Sequence, residues 1–152
     1  MAKEIVTDLY RDTPSHPNKK LLMDLPLPVS INHMYYNTKH GGKRLTARAE
    51  AYVRVSRALI NLAIQEQNWY KQSKSVWYYI DLVFYLPDRR VRDSHNMIKL
   101  LLDVIQGLAY ENDYYIIPRI QAVEYDAEAP RVMACISPQT HRQRIRGIAT
   151  CD

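Results

Sequence analysis

Val76-Trp77-Tyr78-Tyr79-Ile80-Asp81-Leu82-Val83-Phe84-Tyr85-Leu86, then Pro87-Asp88, then Asn96-Met97-Ile98-Lys99-Leu100-Leu101-Leu102-Asp103-Val104-Ile105-Gln106-Gly107, is the stretch on which the fold turns. Its first part reads as a strand, because Val76, Tyr78, Ile80, Leu82, Phe84 and Leu86 alternate onto one side and the composition is β-rich. Pro87-Asp88 ends it. The second part is nearly all apolar over 96–106 and closes at Gly107, as a helix C-terminus does. Its polar residues, Asn96, Lys99, Asp103 and Gln106, are spaced by three, four and three, which puts them on one face. Taken alone, such a stripe is a solvent face.

Outward from this pair, residues 46–67 repeat apolar or small side chains at Ala49, Val53, Ser56, Ile60 and Ala63, with Tyr52 and Leu59 widening the stripe, which predicts a second helix. Leu21 to Ile31 is apolar but broken by Pro26 and Pro28, so it is an edge strand or an extended segment. His40-Gly41-Gly42-Lys43 marks a flexible turn. Residues 116–125 and 131–137 read as two strands, and Asp126-Ala127-Glu128-Ala129-Pro130 between them suggests a hairpin. The expectation is a single α+β domain, a mixed β-sheet with two main helices in the order β-α-β-α-β-β. It occupies 21–138, between a polar arm at 1–20 and a basic tail at 139–152 that holds His141-Arg142-Gln143-Arg144-Ile145-Arg146.

A length of 152 residues with 47% hydrophobic and 24% charged residues is that of one ordinary folded domain, and excludes disorder, collagen and coiled coil. The net charge of +5 favours a polyanionic partner without identifying it. Cys135 and Cys151 form no Cys-x-x-Cys pair and lie far from any His pair, so a zinc knuckle or redox dithiol has no support. The first ten residues carry Lys3, Glu4 and Asp8 rather than an apolar run, and no later stretch has the length of a membrane span, so a cytoplasmic protein away from membranes is expected. Twelve Tyr and two Trp stand against one Phe, a bias toward aromatics with a polar tip.

The chemistry concentrates at the entry to the apolar helix, in Arg92-Asp93-Ser94-His95-Asn96. In an extended segment Asp93 and His95 point to the same side. Two metal-capable side chains beside a helix N-terminus, with Lys99 one turn further in, suit a divalent ion and a phosphate. The plainer reading makes Asp93 the helix N-cap and His95 a surface residue. A second acidic group, Glu111-Asn112-Asp113, follows the helix and on composition is a solvated turn. A helix of eleven residues spans about 17 Å, and Gly107 to Asp113, fully extended, covers roughly 20 Å. Return of Asp113 toward Asp93 within one chain, and a ligand from a partner subunit, both stay open.

Taken together, Arg92-Asp93-x-His95-Asn96-x-x-Lys99-x-x-x-Asp103, then Glu111-Asn112-Asp113 before an Ile-led strand, with Pro26-Leu27-Pro28-Val29-Ser30-Ile31-Asn32 upstream, resembles the RusA family of Holliday junction resolvases. The likeness runs from about residue 25 to 137. It implies a RusA-like nuclease domain over 21–138, and it carries the family's catalytic carboxylates onto Asp93, His95 and Asp113 and its functional lysine onto Lys99. Where the family has the second Asp of Asp-x-Asp, this chain has His95, and Asn112 replaces the first acid of the acidic pair. A neutral nitrogen donor suits Mg²⁺ less than oxygen does, and Mn²⁺ tolerates it better.

The resemblance implies a Mg²⁺-dependent endodeoxyribonuclease, with Mn²⁺ as the other ion, that resolves four-way junctions in DNA recombination and repair. Asp93, His95 and Asp113 would be the metal ligands and Lys99 the group that stabilises developing charge. Asn32, Asn96, Lys43, Arg44 and Arg92 would hold DNA, while Asp103 and Glu111 support the site, Asp103 by orienting Lys99. Lys39, Arg48, Arg89, Arg90 and the tail are further candidates for phosphate contact. Two symmetric nicks in a two-fold substrate imply a homodimer, acting on branched DNA in a bacterial or phage-infected cell. The alternative is a junction-binding protein with weakened or lost cleavage, because His95 stands for an Asp. A generic basic α+β module with an RNA or protein partner is the third reading.

Overall fold

The computed structural model describes residues 20–71, 76–90 and 92–139. The polar arm through residue 19 and the basic tail from residue 140 lie outside them. The described residues form six strands and two helices: β1 (Leu21–Pro26), β2 (Tyr35–Asn37), β3 (Lys43–Leu45), α1 (Ala47–Glu66), β4 (Tyr78–Leu86), α2 (His95–Ile105), β5 (Ile116–Tyr125) and β6 (Arg131–Pro138). Short 3-10 turns cover Ile31–His33 and Asp113–Tyr115. The expected β-α-β-α-β-β order holds, with one addition. The glycine-marked turn is the tip of a small antiparallel ribbon, Tyr35↔Leu45 to Asn37↔Lys43, closed by the Thr38 hydroxyl, which accepts from Gly42 N at 3.0 Å.

The four main strands form one sheet in the order β1-β6-β4-β5, with β4 and β5 parallel and the other pairs antiparallel. The expected hairpin between the last two strands is therefore not formed. β6 passes to the far side of β4 and fills the slot between β4 and β1. Burial explains the choice. Val132, Ala134, Cys135 and Ile136 of β6 are all buried, whereas β5 carries Arg119, Gln121 and Glu124 and alternates with solvent, as suits an edge. Residues 126–130 have to step over only one strand, about 10 Å, well within their reach. Asp126 N donates to Leu86 O at 2.8 Å as the chain crosses the end of β4.

As the central strand, β4 is buried on both faces along its whole length, not on one alone. Tyr78, Ile80, Leu82, Phe84 and Leu86 enter the main core with α1 and α2. On the opposite face the guanidiniums of Arg119 and Arg131 lie 3.7 and 3.9 Å above the rings of Tyr79 and Tyr85. Asp81, 8% exposed, is satisfied there by two 2.7 Å bonds from Arg119 and one of 2.6 Å from Gln121.

The helices begin and end as their sequences predict, within a residue. Thr46 caps α1, its hydroxyl accepting from Ala49 N. The Gln67 amide then pairs with both backbone groups of Leu22, at 2.8 and 2.6 Å, and so covers part of the free edge of β1. Helix α2 stops before Gly107, whose φ of +81° turns the chain back.

Candidate active site

The site is built where β4 hands over to α2. Asp88 receives two bonds from the Arg92 guanidinium and one from Arg90 N at 2.9 Å, so the turn after the strand is clasped. The Arg92 hydrogen bonds, chiefly, hold the Asp88 carboxyl down to about 2. Asp93 Oδ1 then accepts from His95 N at 2.9 Å and lies 3.3 Å from His95 Nδ1. This capping contact agrees with the plainer sequence reading of Asp93, although the formal cap residue is Ser94, whose side chain caps nothing. The His95 side chain is 81% exposed and that of Asp93 56%.

One turn along α2, Lys99 Nζ donates to Asp103 Oδ1 at 2.6 Å, the i,i+4 pair that the stripe predicted. That hydrogen bond, ahead of the more distant charge of Asp113, raises the Lys99 ammonium above the ordinary lysine range, so it stays charged. Tyr35 of the ribbon adds weakly in the same direction when its phenol is ionised. Nothing in the spacing of the sequence linked Tyr35 to this helix.

Asp113 completes the arrangement from the same chain, with Oδ2 3.9 Å from Lys99 Nζ. The return is held by groups remote in sequence. Arg57 donates to Val104 O, Trp69 Nε1 to Ala109 O at 2.9 Å, and Lys71 to Gly107 O while pairing with Glu111 at 2.7 Å. Buried Tyr110 donates to Leu102 O at 2.9 Å; burial, then the charges of Asp113 and Asp103, push its phenol far up, so it remains a donor. Asn112, in place of an acid, caps the next turn by accepting from Tyr114 N. Glu111 thus pins the loop through Lys71.

A cleft of about 390 Å³ opens beside Asp93, lined among others by Ser30, Asn32, His33, Arg48, Arg92 and Asn96. It joins the proline-broken segment after β1 to the start of α2. Three of the expected DNA contacts, Asn32, Arg92 and Asn96, meet here, with Arg48 from the further phosphate candidates. Lys43 and Arg44 stand exposed on the ribbon instead. His33 was not singled out by the sequence, and Ser30 stood out only as part of the proline-rich stretch. Ser30 caps a 3-10 turn, a local signal that shows only once the strand before it is placed.

Among the described residues no group of three or more His, Cys, Asp or Glu side chains clusters to hold a metal ion. Asp93 with His95 stands at the start of α2, and Asp113 with Lys99 and Asp103 forms a separate set further along it. A hard divalent ion of the Mg²⁺ kind does not require a cluster of three, since it is held by one or two carboxylates plus water and substrate phosphate, not by an all-protein cage. Both carboxylates are partly exposed, as that requires.

No helix among the described residues is long and apolar enough to cross a membrane. The family model described as endodeoxyribonuclease RusA matches residues 26–137, which takes in the cleft, the Asp93 turn, α2 and Asp113. No curated protein matches the chain.

Proposed function

The chain belongs to the RusA endodeoxyribonuclease family, and from that premise we propose that it resolves four-way DNA junctions by divalent-metal-dependent hydrolysis, as a homodimer that makes paired nicks. The observation that carries this reading is the return of Asp113 to Lys99 within one chain, beside a cleft that gathers Arg48, Arg92, Asn32 and Asn96 around Asp93. Helix α2 thus carries Asn96 and Lys99, with Asp93 just before its start and Asp113 brought to Lys99 from beyond its end.

In this reading the cleft residues bind the DNA backbone, Arg48 and Arg92 by charge and Asn32 and Asn96 by hydrogen bonds. Asp93 and Asp113, with His95 beside them, would hold Mg²⁺ or Mn²⁺, which supplies activation of a water for attack on phosphorus. Water oxygen bonds to phosphorus as the ester P–O bond on the opposite side breaks. Lys99, kept charged and aimed by Asp103, faces the negative charge that builds on the phosphoryl oxygens or the leaving oxygen. A junction has two-fold character, so one site per subunit of a symmetric dimer accounts for two matched cuts. The compartment implied is the cytoplasm of a bacterial or phage-infected cell.

The test is cleavage of a fixed synthetic four-way junction with Mg²⁺ and Mn²⁺ in parallel. Wild type is expected to nick it, and Asp93→Asn to bind it without nicking. Retained nicking by Asp93→Asn would remove Asp93 from the chemistry. The second reading, a junction binder with lost cleavage, is favoured by one observation: the Asp93 carboxylate is engaged by His95 N where the family has two acids. Junction-bound protein that yields no nicked strand with any divalent ion would decide for it.

A further inference from the structure

Asp113 is followed at once by two aromatic residues, Tyr114 and Tyr115, and the parallel pairing of the sheet brings a third ring to them. Because Tyr78 stands opposite Ile116 in that pairing, the residues just before the two strands, Trp77 and Tyr115, arrive side by side. The three rings form one cluster. Trp77 lies 5.5 Å from both tyrosines, and Tyr114 and Tyr115 are 5.0 Å apart, edge to face. Trp77 and Tyr115 are partly buried and anchor it, whereas Tyr114 is 68% exposed. The Asn112 cap on Tyr114 N fixes the turn that presents this ring.

An aromatic ring held rigidly and left in water is a stacking surface for another flat apolar face. Here it sits one residue from a carboxylate of the candidate site, on a chain of net charge +5. We propose that Tyr114, backed by Trp77 and Tyr115, stacks an unpaired or unstacked nucleobase at the branch point, and so sets the preference for branched over linear DNA. The inference rests on the nuclease reading for its substrate, and names the part of that substrate recognised. A linear duplex keeps its bases stacked and offers nothing to the ring. The cluster therefore adds affinity selectively, while the arginines of the cleft serve both kinds of DNA.

The experiment uses the full chain in a chelator, so that binding is read without cutting. A four-way junction carries 5-iododeoxyuridine either at the branch point or in mid-arm, and irradiation is followed by peptide mapping. Crosslinking is expected at Tyr114 from the branch point and not from mid-arm. Tyr114→Ala should weaken junction binding by about tenfold or more, with less than about a twofold change for a linear duplex of the same sequence, and Tyr114→Phe should retain the wild-type ratio. An equal loss on both DNAs, or a crosslink elsewhere, would overturn the proposal. So would a change in sedimenting mass in Tyr114→Ala, which assigns the ring to contact between copies. Nicking is scored separately: protein that crosslinks at Tyr114 yet never nicks keeps the platform and loses the hydrolysis, while unchanged DNA selectivity in a nicking Tyr114→Ala removes the platform alone.

Discussion

Asp113 Oδ2 stands 3.9 Å from Lys99 Nζ although the two residues are separated by the end of a helix and a tight return, and the same ammonium is bonded to Asp103 at 2.6 Å. The lysine is thus aimed by a neighbour on its own helix and reaches toward a carboxylate delivered by the fold. In the proposed reaction Asp103 would act as a positioning residue, through Lys99.

Asp103→Asn should therefore lower kcat on a four-way junction by about tenfold to a hundredfold with little change in KM, since it frees the ammonium to wander without removing a DNA contact. Asp103→Glu should recover most of the loss. Equal effects on kcat and on thermal stability across both variants would mark Asp103 as structural only.

At His95 the reverse substitution is informative. The imidazole is exposed, its Nδ1 3.3 Å from Asp93 Oδ1, and an acid suits the first turn of a helix, so His95→Asp should fold like wild type and restore an oxygen donor. The expected result is a higher ratio of Mg²⁺-supported to Mn²⁺-supported nicking. An unchanged ratio would show that this side chain takes no part in ion choice.

Gly107 turns the chain at φ +81°, with nothing within 4 Å of where a Cβ would stand. Gly107→Ala should cost about 1 kcal/mol of stability from backbone strain alone, read as a shift in the urea midpoint. Nicking should fall further than stability does, because Asp113 rides on the return that begins there. Full activity at reduced stability would separate that return from the site.

The Asp88–Arg92 clasp has a defined pH window. Its carboxyl is held down to about 2 in the folded chain, below the ordinary Asp value of about 4, so its stabilising effect is complete above that ordinary value and is lost as the pH falls through about 2. Urea midpoints of wild type and Asp88→Asn should differ by a constant amount from about pH 5 to 7 and converge toward pH 2. A difference that persists unchanged at the lowest pH would show that the loss comes from packing instead of charge.

Much of this was legible in residue order. Alternation over 78–86, the apolar helix with Lys99 and Asp103 in its polar stripe, the helix end at Gly107, and the motif from Arg92 to Asp113 all depend on side chains a few positions apart, and the backbone geometry that joins them is local. Periodicity carries such information directly.

Three features were decided only by the folded chain. β6 lies between β1 and β4 because two neighbours bury its apolar faces better than a hairpin with the polar β5 would, a competition that no single segment reports. Asp113 reaches Lys99 because Arg57, Trp69 and Lys71, some forty residues earlier, bond the carbonyls of the return. The rings of Trp77 and Tyr115 meet because parallel pairing aligns the starts of two strands. The sequence determined which groups the site has to work with; tertiary pairing determined which of them meet, because distance in space is set by burial and hydrogen bonding summed over the whole sheet.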